Sequence, residues 1–320
     1  MKQQEKQRQK PKSVQVLLSS YYGERYLPAQ LDSLLSQKGV QVSVLVRDDG
    51  SCDRTRHILR NYAQKHTNLS AYSGQNLGTA KSFFHLLAHA GHSYSYYAFA
   101  DQDDVWLEEK LARAVSCLEK MERKYPGRPL LYASNVIYAS KDLRIQQALP
   151  SRDAIKPSFG NALTENICIG CTQVFNQKLL ELVRNHLPDG AILHDWWMYL
   201  TAAYFGSVYY DPNAYILYRQ HEGNQIGMQK NAFARWKNRV LHFGGLRHKL
   251  SGQAALFRDA YAGLLEMDTP NQRNAYRLGL LCAYRADYKK RRKLVFDQNI
   301  HRQRRLDDLA YRILFLTGYL

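Results

Sequence analysis

The sequence predicts an α/β fold: a mainly parallel sheet flanked by helices, followed by a helical, basic C-terminal extension. Three observations carry this. Short apolar runs alternate with amphipathic stretches through the first hundred residues. Three of those runs end in small polar or acidic residues, at Ser19-Ser20, at Asp48-Asp49 and at Asp101 with Asp103. From Gln229 onward the pattern turns helical and rich in Lys and Arg.

Residues 14–20, VQVLLSS, read as a buried strand. Tyr26 to Gln37 carries Leu27, Leu31, Leu34 and Leu35 at helical spacing, with Pro28 suited to a first turn. Residues 40–47, VQVSVLVR, form a second strand running into Asp48-Asp49-Gly50-Ser51. Asp53 to Ala63 reads as a helix with Ile58, Leu59 and Tyr62 on one face, and a short strand follows at Leu69–Tyr72. Thr79 to Ala90 is helical, and the aromatic run at 94–100 is a strand. Trp106 to Lys124 reads as one helix, 130–138 as a strand, and 166–175 as a loop and strand in which Gly170 allows close backbone approach. Residues 191–205 hold an acidic-aromatic cluster, and 215–224, YILYRQHEGN, close the sheet-bearing part. The expected division is a basic tail at 1–12, the α/β domain at 13–227 and a helical basic region at 228–320.

The chain has 320 residues, enough to bury a core without staples. Five cysteines at irregular spacing argue against a disulfide framework and fit a reducing, cytoplasmic setting. Cys168 and Cys171 form a CxxC, but no second pair sits at zinc spacing. Lys and Arg number 45 against 28 Asp and Glu, a formal charge of +17. The residues from Met228 to Leu320 hold 19 of the cations and 7 of the acids. Such a surface seeks an anionic partner. No apolar run approaches the roughly 20 residues needed to span a bilayer. The N-terminal MKQQEKQRQKPK lacks the apolar segment of a secretory signal.

In a parallel sheet, ligands bind at the carboxyl ends of the strands. The three polar strand ends would therefore line one crevice. Asp101, Asp103 and Asp104 crowd three carboxylates into four residues, and their charge needs compensation. A hard divalent ion, Mg²⁺ or Mn²⁺, is the simplest answer, with a substrate diphosphate filling further positions. The rival reading is a solvated acidic loop capping the next helix.

The set LLSSYYGERYLPAQLDSLLSQ, RDDGSCDRT, NLGTAKSF, FADQDDVW, the Gly170-Cys171 segment and HDWWM, in this order, resembles family 2 glycosyltransferases of the GT-A fold. The resemblance spans about residues 14–225. DQDDVW, with HDWW and YRQHEGN downstream, is most similar to bacterial rhamnosyltransferases that use dTDP-L-rhamnose. It implies an inverting transfer from a dTDP- or UDP-linked sugar to a lipid-linked or growing cell-surface polysaccharide. Ser19 and Tyr21 would hold the nucleobase, and Asp49 would accept from the pyrimidine N3–H. Asn76 and Lys81 would approach the ribose and diphosphate, Asp101 the ribose and metal, and Asp103 the metal itself. Asp195 matches the catalytic base. His194 stands where the family usually has Glu, and Tyr22 where it usually has Asn, so a helper role at 194 and contacts at 22 need not carry over; His194 can equally be a core residue.

Other residues have two readings each. Trp196 and Trp197 can stack on an acceptor sugar, beside Gly170 and Cys171, or pack their helix. His221 can be a third metal contact or a surface histidine, and Arg219 can pair with the diphosphate. Ala234 to Phe243 and Leu306 to Leu320 mix basic and apolar residues as interfacial helices do, which points to the inner face of the cell membrane, or else to an ordinary helical bundle. Two rivals have other chemistry. A nucleotidyltransferase would carry a Gly-rich basic loop after the first strand, which SSYYGERYL lacks. A nucleic-acid-binding protein would show a binding motif, and none is present.

Overall fold

The computed structural model describes residues 11–148, 155–221, 248–267 and 271–319. The basic tail up to residue 10 and the stretch Ala234 to Phe243 lie outside the described residues.

The first half follows the expected alternation. It runs β1 (Ser13–Ser20), α1 (Leu27–Leu35), β2 (Gln41–Asp48), α2 (Thr55–Lys65), β3 (Leu69–Ser73), α3 (Thr79–His89) and β4 (Tyr96–Asp101). β1 pairs in parallel with both β2 and β4, and β2 with β3. Ser19, Arg47 and Asp101 share one register line, so the polar ends of three strands are level.

Alternation along β1 feeds two cores. Val14, Val16 and Leu18 face α1, α2 and the helix that follows the acidic loop. Leu17 faces the opposite layer, with Phe83, Leu86 and Leu87 of α3. Side chains of a strand alternate between faces, so a run apolar at nearly every position is what burial on both faces requires.

The second half is mixed. It holds β5 (Val105–Trp106), α4 (Lys110–Lys124), β6 (Leu130–Ala139), β7 (Ile145–Ala148), α5 (Phe159–Ala162), a 3₁₀ turn at Gly170–Thr172, β8 (Val174–Asn176), α6 (Gln177–Arg184), α7 (His194–Phe205) and β9 (Ser207–Arg219). The sheet order is β3-β2-β1-β4-β8-β6-β9-β5, with β7 on β6. β8 is antiparallel to both β4 and β6, and β9 is parallel to β6.

The helix expected from Trp106 begins at Lys110 instead. Val105 and Trp106 form a strand on Leu217 and Ile216 of β9. That partner lies over a hundred residues away, so local periodicity carries no trace of it.

The C-terminal part is helical as expected among the described residues: α8 (Lys249–Ala260), α9 (Ala262–Met267), α10 (Gln272–Ala283), α11 (Tyr288–Phe296) and α12 (Arg305–Thr317). It shares the α3/α7 core rather than standing apart, through Leu250, Phe257, Leu278, Leu281, Tyr311 and Phe315. Trp197 of α7 packs on Phe257 with ring centroids 5.5 Å apart.

Candidate active site

A cleft of about 460 Å³ opens at the carboxyl ends of β1, β2 and β4. Of the residues singled out in the sequence, Ser19, Tyr21, Asp49, Asn76, Asp101, Asp103, Gly170 and Asp195 line it. His194 lines it as well.

The β2 end is held by arginine. Asp48 is fully buried and accepts from Arg56 Nε (2.9 Å) and the Ser51 N–H (3.2 Å). Asp49 pairs with the buried Arg47 and accepts from the Leu77 (2.9 Å) and Gly78 (2.9 Å) N–H groups. Arg47 also donates to Ser82 Oγ (2.9 Å), which sits 2.6 Å from Ser19 Oγ. A chain of polar contacts thus ties β1, β2 and α3 together behind the cleft. Gly50 takes φ +93°, and a Cβ there would lie 3.1 Å from the Asn76 nitrogen, so the turn needs glycine on both counts.

Gln102 was given no role by the sequence reading. Its Oε1 accepts from Ser20 Oγ (2.8 Å) and the Tyr21 N–H (2.9 Å), and its Nε2 donates to the Tyr21 carbonyl (2.9 Å). It fixes the loop after β1 against the acidic loop after β4. The signal was its place between Asp101 and Asp103, which any polar residue could have filled.

The acidic loop is compensated differently. Asp103 Oδ2 lies 2.7 Å from His221 Nε2. Asp104 is fully buried, with Oδ1 accepting from the Arg219 N–H (3.2 Å) and Oδ2 unpartnered among the described residues. Burial, then the charges of Asp103 and Asp195, push the Asp101 carboxyl up to about 7. Lys110, buried under the loop with its Nζ 3.3 Å from the Trp106 ring centroid, is pushed down to about 7 by burial.

Two donor sets can be drawn here. Asp101, Asp104 and Cys171 bring ligand atoms within 4.8 Å of one another. Asp104 and Cys171 are fully buried and do not line the cleft, and one Asp104 oxygen already holds the Arg219 N–H. Asp101 and Asp103 face the cleft, and His221 touches Asp103. Two carboxylates and an imidazole suit a hard or borderline divalent ion that must also meet a diphosphate. The second set has the chemistry for such an ion, while among the described residues only the first brings three ligand atoms within 4.8 Å of one another as folded.

Asp195, in the first turn of α7, lines the same cleft. Its Oδ2 accepts from the Gly170 N–H (2.9 Å) and its Oδ1 from the Trp196 N–H (2.7 Å). Burial pushes the carboxyl up to about 6, against the bonds from Trp196, Gly170 and the Asn166 side chain, which favour the charged form. Gly170 allows this contact, since a Cβ there would lie 3.0 Å from His194 Nε2 and 3.3 Å from Asp195 Cβ. His194 stacks on Phe83 with centroids 3.9 Å apart, and burial drives its pKa down to about 3, so it packs as a neutral ring.

Several expected placements need correction. Trp196 and Trp197 are buried at 4% and 0% exposure, and neither lines the cleft. The Trp196 indole donates to the Ala162 carbonyl (2.6 Å), so both rings are core, not a sugar platform. Cys171 is buried beneath Asp101 and Asp104, away from any acceptor. Lys81 is exposed and pairs with Asp189 (3.1 Å) outside the cleft lining. Arg219 is only 4% exposed, and its guanidinium donates to the Asp103 and Lys141 carbonyls and lies over the Tyr26 ring, so it braces the loop rather than facing a diphosphate.

The sequence matches the family profile described as Glycosyl transferase family 2 over residues 16–183. The chain belongs to that family. It is 30% identical over 233 residues to the dTDP-rhamnosyl transferase RfbG of Shigella flexneri, covering 69% of this chain and 77% of that one. It is 29% identical over 156 residues to TuaG of Bacillus subtilis, a glycosyltransferase named for teichuronic acid biosynthesis, covering 47% and 60%. The fold is that of GT-A enzymes. The S. aureus TarS 1-349 complex with UDP-GlcNAc aligns at a TM-score of 0.56 and 16% identity, covering 96% of this chain and 91% of the TarS 1-349 chain. The Pyrobaculum calidifontis mannosyltransferase PcManGT, in complex with GDP-Man and Mn²⁺, aligns at 0.52 and 16%, covering 95% and 88%. This chain is thus a glycosyltransferase, with its cleft at the strand ends where a GT-A sheet binds its donor.

Proposed function

We propose that this glycosyltransferase moves L-rhamnose from dTDP-L-rhamnose to a lipid-linked or growing cell-surface polysaccharide, with inversion and with Asp195 as general base. One observation carries the mechanism: Asp195 lines the same cleft as Asp101 and Asp103, on a separate element. The donor assignment is supported by the similarity to RfbG, and the acceptor class by the similarities to RfbG and TuaG.

In this reading the nucleotide lies over Ser19, Tyr21, Asp49 and Asn76. Asp101, Asp103 and His221 would hold Mg²⁺ or Mn²⁺, which supplies charge neutralisation for the departing diphosphate. The acceptor hydroxyl enters beside Gly170 and gives its proton to Asp195. Its oxygen forms a bond to the anomeric carbon as the bond from that carbon to the phosphate oxygen breaks, and the nucleoside diphosphate leaves. A carboxylate lifted to about 6 is still ionised at neutral pH and is a stronger base than an ordinary aspartate. Among the described residues no helix is long and apolar enough to cross a membrane. Access to a lipid-linked acceptor would therefore be peripheral, at an anionic surface served by the basic region at 228–320.

Asp195→Asn tests the base. It keeps the side chain's shape while removing the proton acceptor. Transfer is expected to fall about 10²–10⁴-fold with donor affinity nearly unchanged, and the melting temperature is expected to drop modestly, because the Asn NH2 cannot accept the backbone N–H that an Asp195 oxygen accepts. Transfer at close to the native rate would remove Asp195 from the mechanism. A parallel panel of dTDP-, UDP- and GDP-sugars checks the donor: dTDP-L-rhamnose is expected to turn over fastest, and a clear preference for another nucleotide would overturn the rhamnose reading alone.

A further inference from the structure

We infer that the outward faces of α10, α11 and α12 form a surface that docks on an anionic lipid membrane. This rests on the reading that the acceptor is lipid-linked, and it names the surface that would bring the cleft to it.

α12 has two apolar sides. Tyr311 and Phe315 are buried in the core at 2% and 1% exposure. On the outward side Leu306, Leu309 and Ile313, spaced three and four residues apart, are 73%, 58% and 54% exposed. A surface helix packed on one side carries polar residues on the other, and this one carries aliphatic side chains there instead. α11 adds Tyr288 and Phe296, 62% and 70% exposed, on the face that also exposes Lys289, Arg292 and Lys293. Tyr276 of α10 is 52% exposed, and Lys293 Nζ stands 5.9 Å from its ring centroid, so α10 and α11 contribute to one patch.

The charge fits an anionic partner. Residues 271–319 hold 12 Lys and Arg against 4 Asp. Asp297 pairs with Arg277 (2.8 Å), Asp308 with Arg312 (2.8 Å), and Asp287 caps α11 through the Lys289 and Lys290 N–H groups. Those three acids are each engaged by a cation or by backbone N–H groups, and the 12 cations leave the outward field positive. Exposed leucine and isoleucine beside tyrosine, phenylalanine and lysine is the mixture that enters a headgroup layer: the apolar groups reach the acyl boundary while the cations stay with the lipid phosphates. A nucleic acid would use the cations and leave the aliphatic face in water.

The test uses the full chain and vesicles of phosphatidylcholine, with and without phosphatidylglycerol. Two triple variants probe the surface: Leu306→Gln with Leu309→Gln and Ile313→Gln, and Lys289→Glu with Arg292→Glu and Lys293→Glu. All six side chains are exposed, so melting temperatures are expected to hold. The native chain is expected to sediment with phosphatidylglycerol vesicles and to be released as salt rises. Each triple variant is expected to lose about tenfold or more in partition, as removing several surface contacts predicts. Retention of both variants at the native level would overturn the proposal, as would equal recovery of the native chain on both vesicle types. A native dimer in light scattering that the α12 variant converts to monomer would also overturn it, giving the face to a second copy. Hydrolysis of the donor sugar in solution is expected to be unchanged in both variants. Loss of that reaction in the native chain would count against the donor reading while leaving vesicle binding to decide this one.

Discussion

Two acidic clusters end neighbouring parallel strands, and the protein treats them differently. At the end of β2, Asp48 and Asp49 are each met by a guanidinium, from Arg56 and Arg47, and by backbone N–H groups. At the end of β4, Asp103 is met by an imidazole and Asp104 by a backbone N–H, and Arg219 reaches the Asp103 carbonyl. The first cluster is charge-compensated by arginine, with Asp48 Oδ1 buried and unpartnered among the described residues. The second likewise leaves one Asp104 oxygen buried and unpartnered among the described residues, but it also keeps the Asp101 carboxyl, lifted to about 7, facing the cleft. Similar sequence patterns thus build an arginine-held brace in one place and a cleft-facing carboxyl cluster in the other.

The largest effect on stability is expected from breaking the brace. Arg47→Met leaves Asp49 buried without its counter-charge, and breaking a buried pair this way costs about 3–5 kcal/mol. Urea denaturation would show it as a lower midpoint with an unchanged slope. A loss below about 1 kcal/mol would mean that the Leu77 and Gly78 N–H groups suffice alone.

A smaller effect separates the base from both clusters. With Asp195 lifted to about 6, kcat/KM is expected to fall as pH drops through about 6, because the protonated carboxyl cannot accept the hydroxyl proton. The linkage has the opposite sign for folding. A carboxyl raised above its ordinary 3.8 binds its proton more tightly in the folded state, so its contribution to stability declines as pH rises from about 4 to about 6. Asp195→Asn is expected to remove both dependences, and a native-like acid limb in that variant's residual activity would assign the limb to another group.

The smallest effect is expected at Lys81. Its pairing with Asp189 is solvent-exposed, 61% and 93% on the two side chains, and such pairs contribute little. Lys81→Ala should leave melting temperature and donor affinity unchanged. A severalfold loss of donor affinity would return Lys81 to the diphosphate.

The legible part of this protein is the part whose partners are near in sequence. The strands and helices to β4 were readable because burial on both faces leaves unbroken apolar runs, and α1 and α3 show their buried face at helical spacing. The level strand ends follow from the parallel order, which is why the sequence alone places Ser19, Asp49, Asp101 and Asp103 together. What stayed hidden depends on distant partners. Trp106 is a strand residue because β9 lies beside it. Trp196 and Trp197 look like a sugar platform in HDWW, but C-terminal helices and α5 cover them. Arg219 and Arg47 are both near acidic residues in the fold. Only the geometry shows that one guanidinium reaches backbone carbonyls and the other a carboxylate.

The contrast between the clusters is tested most directly by calorimetry of dTDP binding to the native chain and to Asp103→Asn, each with Mn²⁺ and with EDTA. If the β4 end is the cation-seeking site, native affinity is expected to fall tenfold or more in EDTA, while Asp103→Asn binds weakly and equally in both. Unchanged native affinity with and without EDTA would contradict it.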